Sequence, residues 1–300
     1  MNACPSLTPL FLTGPTGSGK SALALEVAGE IGAEIVNADA FQIYRGMEIL
    51  TAQPSAADRL LIPHHLYGCH DAADAFDVGL YAVLAAQAIA GLQSRGVRPL
   101  VVGGSGMYVK SLTHGLADLP PANTALRRTF DSLTISELQE WLCRVDPAAP
   151  DQVNLQNARH VQRALEISLL TGRPASEFKH AWKQHPPAPR GVFLHPPRAE
   201  LYARINQRAE RMFEQGVAAE VARLSVLSAT AEKAIGLREI RQLQTGILTP
   251  EQALAVLQQA TRRYAKRQIT WFKRESCLLP TATAAEAKSQ LIALHRGGQS

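Results

Sequence analysis

Near the start of the chain, Gly14-Pro15-Thr16-Gly17-Ser18-Gly19-Lys20-Ser21 fits the pattern GxxxxGK(S/T) in full. Glycines at this spacing let backbone N–H groups curl around an anion, and a helix that begins at the lysine adds positive potential. Lys20 then offers a cation to an outer phosphate, and the Ser21 hydroxyl suits Mg²⁺. The pattern lies between an apolar run at 9–13 and helical periodicity at 20–31, the strand–loop–helix context that a phosphate loop requires. It leaves the phosphate compound open: ATP is the default, and a diphosphate ester is allowed.

Two further groups could do chemistry. Residues 34–42 read EIVNADAFQ, a strand that delivers Asp39 to its C-terminal edge beside the phosphate loop. Open α/β sheets bind ligands at that edge. A carboxylate there can coordinate magnesium, act as a general base, or simply cap a helix N-terminus. Residues 261–274 form the other group. At 100° per residue Arg262, Arg263, Lys266, Arg267, Lys273 and Arg274 share an arc of about 140°. Tyr264, Ala265, Gln268, Ile269, Trp271 and Phe272 fall on the opposite, core-facing side. A face of cations with no acid before Glu275 is either solvated surface or a grip on RNA phosphates.

These groups need a frame to hold them. Strands are expected at 9–13, 34–37 and 99–102, and helices at 20–31 and 78–94, an alternation that implies a parallel sheet covered by helices. From 119 to 185 only helical periodicity appears, for instance at 136–144 and 159–171. A proline-rich connector at 185–190, a strand at 191–195 and helices at 200–227, 235–244 and 250–274 follow, with the last dozen residues expected to fray. The architecture is therefore α/β: a P-loop NTPase-like parallel sheet flanked by helices, with an all-helical insertion. The core spans 1–117 and 190–300, and the insertion 118–189.

The 300 residues are 46% hydrophobic and 19% charged, which excludes a disordered or fibrous chain. The net charge of +5 permits a polyanionic partner without requiring one. Cys4, Cys69, Cys143 and Cys277 are scattered, with no CxxC pair, which argues against a zinc ribbon or a disulfide framework and suits a reducing cytoplasm. No basic residue precedes Lys20, so no signal peptide is expected, and the longest weakly polar stretch, 79–92, is shorter than a membrane span. His64, His65 and His70 lack partners at zinc-ligand spacing and are expected to be structural.

The segment Asn37-Ala38-Asp39-Ala40-Phe41-Gln42-Ile43-Tyr44-Arg45-Gly46-Met47 resembles the signature that follows the phosphate loop in tRNA dimethylallyltransferases, also called tRNA isopentenyltransferases. The resemblance continues, in family order, through Thr51-Ala52-Gln53-Pro54, Pro63-His64-His65-Leu66, Val102-Gly103-Gly104-Ser105-Gly106-Met107-Tyr108, Arg163-Ala164-Leu165-Glu166 and Thr171-Gly172-Arg173-Pro174. It ends with Ala234-Ile235-Gly236-Leu237-Arg238-Glu239 and Thr261-Arg262-Arg263-Tyr264-Ala265-Lys266-Arg267-Gln268. It implies transfer of a dimethylallyl group from dimethylallyl diphosphate to the exocyclic amine of adenosine 37, next to the tRNA anticodon. The phosphate loop, Gly14 to Ser21, would hold the diphosphate, with Ser21 on Mg²⁺. Asp39 would be the base, aided by Ser105, which stands where the family usually has threonine, and by Lys20. The implied tRNA contacts are Asp39, Ala40, Phe41, Gln42, Ser105, Arg127, Arg159, His160, Arg163, Arg238, Arg263, Lys266, Arg267 and Gln268, with the insertion on the anticodon stem-loop. The protein is expected to be a cytoplasmic monomer, and Ala38, Ala40 and Val102 are expected to line the prenyl pocket. Ala40, Leu50, Gln53, Asn157, His160 and Leu237 depart from the family's usual serine, glycine, lysine, aspartate, arginine and tyrosine. Two other readings keep the same loop: a small-molecule kinase, and a nucleotide-dependent RNA-binding module without catalysis.

Overall fold

Short apolar runs that are buried on both faces make parallel strands, and four such runs build the centre of this sheet. The computed structural model describes residues 7–116, 119–180 and 190–297. In chain order the first elements are β1 (Leu10–Thr13), α1 (Lys20–Ile31), β2 (Ala33–Asn37), α2 (Glu48–Thr51), α3 (Ala56–Leu61), β3 (His64–His65), α4 (Val78–Ser94), β4 (Arg98–Gly103) and α5 (Gly106–Thr113). Five helices follow: α6 (Thr124–Asp131), α7 (Ile135–Val145), α8 (Ala149–Gln152), α9 (Ala158–Thr171) and α10 (Ala175–His180). The chain then returns to the sheet with β5 (Gly191–Leu194), α11 (Arg198–Glu214), α12 (Val217–Ala222), α13 (Leu237–Gln244), α14 (Pro250–Phe272), β6 (Leu278–Thr281) and α15 (Ala284–Gly297).

The six strands are all parallel in the order β3-β2-β4-β1-β5-β6. Leu12 pairs with Val102 on one side, and Thr13 pairs with Phe193 on the other. Alternation along the strands fills two cores. Leu10, Leu12, Leu100 and Val192 pack under α1 and α15 through Leu23, Val27, Ala287 and Leu291. Phe11, Val36, Val101 and Phe193 face the other way, with Tyr81 of α4, Tyr108 of α5, Met212 of α11 and Phe272 of α14.

The chain divides into two packed units, Met1–Thr113 with Pro187–Ser300, and His114–Pro186. The second unit has its own core, in which Phe130, Leu138 and Leu142 meet Val161 and Leu165 of α9. The boundary expected at 117/118 and residues 185–189 of the expected connector lie outside the described residues.

Several sequence expectations are corrected. The helix expected at 200–227 is broken, because Gly216 takes a left-handed conformation (φ 86°) between α11 and α12 and the second helix stops at Ala222. His64 and His65 form a two-residue strand beside β2, too short and polar to signal itself. Pro280 masks β6, which pairs only with β5 and so tolerates a proline on its outer edge. The tail does not fray before Gly297: α15 buries Ala287 and Leu291 completely, at 0% exposure. Among the described residues no helix is long and apolar enough to cross a membrane.

Candidate active site

The phosphate loop leaves β1 and enters α1 through two glycines that need positive φ, Gly17 (81°) and Gly19 (90°). Gly19 caps α1 without a side-chain bond, so no side chain occupies the N–H groups of the first turn. Lys20 Nζ donates to Pro15 O at 3.3 Å and curls back over the loop. Burial pushes its ammonium down to about 8, Asp39 opposes the shift, and Arg208 adds to it. The Ser18 hydroxyl and Arg208 Nε are buried with no protein partner. Both are donors of the kind a diphosphate would satisfy. Ser21 is exposed on the first turn of α1.

Asp39 is placed by backbone geometry. Asn37 Oδ1 accepts from Asp39 N at 2.7 Å, and Asn37 Nδ2 donates to Asp39 O and Leu66 O, which turns the chain sharply after β2. Gly103 admits the turn, since a Cβ there would come within 2.1 Å of Ala38 O. Ser105 N donates to Ala38 O at 3.0 Å, and Ser105 Oγ accepts from Ala40 N at 2.8 Å. Asp39 and Ser105 are thus tied together across adjacent strand ends. One Asp39 oxygen also accepts from Phe41 N at 3.0 Å, so the carboxylate has a local capping role as well as a place in the site. Gln42 spends its amide nitrogen on Thr51 O and Ala52 O at 3.0 and 2.7 Å.

Three residues that the sequence did not flag for this chemistry converge here. Arg208 of α11 donates to Thr16 Oγ1 at 3.0 Å and Thr51 O at 3.2 Å. Burial lowers its guanidinium against the pull of Asp39. Arg204, one turn earlier, donates to Ser18 O at 2.9 Å. Tyr264 of α14 stands beside Ser105, and burial raises its phenol, with Asp39 adding to the rise. A pocket opens among Thr16, Asp39, Arg208 and Tyr264, and its apolar wall is Leu50, Ile205, Ala209, Met212, Ile235 and Leu257. Ala38, Ala40 and Val102 do not line this pocket, contrary to expectation; Ala38 and Val102 are buried at the ends of β2 and β4. Leu50 is held in place by Glu220 of α12, whose carboxylate accepts from Ile49 N and Leu50 N at 2.7 and 2.8 Å.

The other residues expected to meet RNA fall into four groups. Arg263, Lys266 and Arg267 are exposed on α14, and Arg267 lies over the Tyr264 ring at 5.6 Å. Arg262 turns instead to α11, donating to Asn206 Oδ1 at 3.0 Å, and Lys273 and Arg274 follow the end of the helix. Gln268 is only 4% exposed, so its expected RNA contact gives way to an internal strut: its Oε1 accepts from Thr16 N at 2.8 Å, and its Nε2 donates to Gly104 O at 2.9 Å. Trp271, expected to face the core, is 36% exposed. Arg159, His160 and Arg238 are exposed on α9 and α13. In the second unit Arg127 and Arg163 both bind Glu166, which is 1% exposed, at 3.1 and 2.6 Å. Burial works to raise the Glu166 carboxyl, but the two arginines and Asn123 N–H together hold it below its usual range. The histidines are structural: His65 Nε2 meets Glu34 at 2.7 Å beside Arg95, and the His70 ring packs on Phe76 at 4.7 Å.

Comparison with known proteins gives a consistent result. A model of the family described as IPP transferase matches residues 42–275. The chain is 42% identical over 269 residues to a tRNA dimethylallyltransferase of Akkermansia muciniphila, covering 90% of this chain and 91% of the relative. It is 41% identical over 279 residues to that of Geobacter metallireducens, covering 89% and 90%. Its fold is similar to a full-length tRNA isopentenylpyrophosphate transferase from Bacillus halodurans, with TM-score 0.71, 29% identity and coverage of 97% and 98%. It is also similar to a eukaryotic dimethylallyltransferase acting on tRNA, with TM-score 0.79, 25% identity and coverage of 94% and 76%.

Proposed function

The chain belongs to the IPP transferase family, and from that premise we propose that it transfers a dimethylallyl group from dimethylallyl diphosphate to N6 of adenosine 37 in tRNA. The products are N6-isopentenyladenosine and diphosphate. The observation that carries the reading is the two-sided pocket. Thr16 of the phosphate loop, Asp39, Arg208 and Tyr264 supply its polar lining, and Leu50, Ile205, Ala209, Met212 and Leu257 its apolar wall. A five-carbon chain buried on that wall contributes up to roughly 3–4 kcal/mol of affinity.

In this scheme the amine nitrogen attacks the carbon bearing the diphosphate. The C–N bond forms, the C–O bond breaks, and the amine proton passes to Asp39. An exocyclic amine of adenine is a poor nucleophile because its lone pair is delocalised into the ring, so removing the proton as the bond forms is worth about 10² to 10⁴ in rate. Ser105 and Asn37 hold the turn that aims the carboxylate. Lys20, Arg208 and the N–H groups of the loop stabilise the departing negative charge. Among the described residues no cluster of three or more His, Cys, Asp or Glu could hold a metal alone. Mg²⁺ needs only one or two protein oxygens when phosphates supply others, and the exposed Ser21 hydroxyl fits that role. When bound, the ion would neutralise charge on the leaving group.

Mass spectrometry of tRNA incubated with the protein, Mg²⁺ and dimethylallyl diphosphate tests the reading. The expected mark is an isopentenyl group on adenosine 37, formed without ATP consumption. Asp39→Asn should keep substrate binding and lose two to four orders of magnitude in single-turnover rate. An unmodified adenosine with the intact protein overturns the proposal.

A further inference from the structure

We propose that Trp271 is a stacking platform for an unpaired RNA base adjacent to the target adenosine, an assignment that rests on the tRNA-modifying reading above. Helical periodicity assigns this tryptophan to the core, yet it is 36% exposed. Its position is tightly defined. A Cβ at Gly106 would stand 2.2, 2.3 and 2.5 Å from Trp271 Nε1, Cδ1 and Cε2, so the five-membered ring of the indole lies directly over that glycine.

Tyr264, Gln268 and Trp271 form a row along α14 at spacings of four and three residues, which keeps them on one face. Each touches the same short loop. Tyr264 stands beside Ser105, Gln268 donates to Gly104 O, and Trp271 covers Gly106. Tyr264 also lines the pocket with Asp39. The row therefore leads from the reacting end of the site outward, and Trp271 lies about 10 Å along the helix axis from Tyr264.

The surroundings of the indole suit a nucleotide. Exposed Arg267 precedes it by one turn, exposed Arg274 follows three residues later, and Met107, 38% exposed, adjoins Gly106. A scattered exposed tryptophan would need no explanation, but this one lies between two exposed cations on α14 and its end, two turns beyond the pocket residue Tyr264. Cations hold phosphates whatever the sequence, and an aromatic face stacks any base. When the target adenine leaves its stack, the neighbouring base loses a stacking partner, and an indole can replace it.

The test is a double-mutant cycle in the full chain. One arm is Trp271→Ala, with Trp271→Phe as the conservative partner. The other is an anticodon stem-loop carrying an abasic site on either side of the target adenosine. Trp271→Ala should weaken binding of the intact stem-loop about 5- to 100-fold, Trp271→Phe should recover part of that, and one abasic position should cost the parent protein a similar factor. That abasic site should cost Trp271→Ala almost nothing. In a Trp141→Phe, Trp182→Phe background, indole emission should be quenched by the intact stem-loop and not by the abasic one. Independent, multiplying losses, or emission indifferent to the stem-loop, overturn the proposal. Dimethylallyl transfer to the intact stem-loop by the parent protein is measured alongside. Its absence refutes the functional reading, whereas normal transfer without coupling refutes only the stacking.

Discussion

Replacing Gln268 by leucine separates a strut inside the site from a contact with RNA. The side chain joins two segments that are distant in sequence, the phosphate loop at Thr16 N and the β4–α5 loop at Gly104 O, with bonds of 2.8 and 2.9 Å. It is wedged tightly, since a Cβ at Gly104 would lie 2.2 Å from Gln268 Nε2. Leucine fills a similar volume but leaves one buried N–H and one buried C=O without partners, each costing about 1–3 kcal/mol. Most of that cost falls on the phosphate loop, which must then be ordered by its ligand. At 1.4 kcal/mol per decade, Gln268→Leu should raise KM for dimethylallyl diphosphate about ten- to a hundredfold. The affinity for tRNA and its dependence on salt should stay as in the parent. Gln268→Glu keeps the acceptor for Thr16 N–H but sets a carboxylate against the Gly104 carbonyl, so its defect should be intermediate. Initial rates over a range of dimethylallyl diphosphate, with tRNA binding at three salt concentrations, decide the matter. An unchanged KM together with weakened tRNA binding at every salt concentration would return Gln268 to the RNA interface and refute the strut.

Three other outcomes follow from the same geometry. Because burial holds the Lys20 ammonium at about 8 in the unliganded protein, affinity for dimethylallyl diphosphate should fall as pH rises past that value, and Lys20→Met should remove the step in a calorimetric pH series. The sign for stability is opposite: between about 8 and the ordinary 10.5 the unfolded chain binds the extra proton, so this group's contribution to stability grows with pH. Arg263→Ala combined with Arg267→Ala should weaken tRNA binding and reduce the log–log salt slope by roughly 0.7 to 0.9 for each lost phosphate contact. Identical slopes would make that face merely solvated. Glu166→Ala should destabilise the helical unit by about 3 kcal/mol, less than for a fully buried pair because both arginines keep part of their surface in water. The Glu166 carboxylate titrates below its ordinary value, so its stabilisation is full above about 4.5 and is lost as pH falls through the lowered value, which hydrogen exchange in α9 would follow.

What was legible in the sequence was whatever the backbone itself demands. The glycines at 17 and 19 announce the phosphate loop because few other residues accept a φ near 81° or 90°. Asp39 could be placed because a buried strand ends just before it, at Asn37, and parallel sheets collect function at that edge. Arg208 was invisible for the opposite reason. It lies 192 residues from Thr16, on a helix rich in arginine and glutamate, where one more cation looks like surface. The pocket wall was missed because it draws on α2, α11, α14 and the Ile235 loop, and no local pattern records which of them meet. Periodicity set Gln268 on the core-facing side, where it lies, and only the resemblance implied an RNA contact, whereas Trp271 was misplaced by the same averaging. Periodicity reports the mean direction of a face, whereas a single glycine at 104 or 106 decides what may lie against the loop.

One stripe of α11 joins the two kinds of contact that the site requires. Ile205, Arg208, Ala209 and Met212 follow the three-and-four spacing of a single helix face, and all four line the pocket. A cation set among aliphatic side chains is a poor element for a core, since its burial lowers the guanidinium pKa and leaves Nε without a partner. It is well suited to an amphiphile whose charged head and short apolar tail must be held at once. The guanidinium reaches toward the phosphate loop through Thr16, while the neighbours one turn away, Ile205 and Met212, present only apolar side chains. A nucleoside triphosphate would set its sugar and base against that wall with few polar groups to meet them, and would leave the apolar surface of Leu50 and Leu257 unused. A diphosphate joined to five carbons matches both halves, so the cost of burying Arg208 is offset by the ligand that its placement selects.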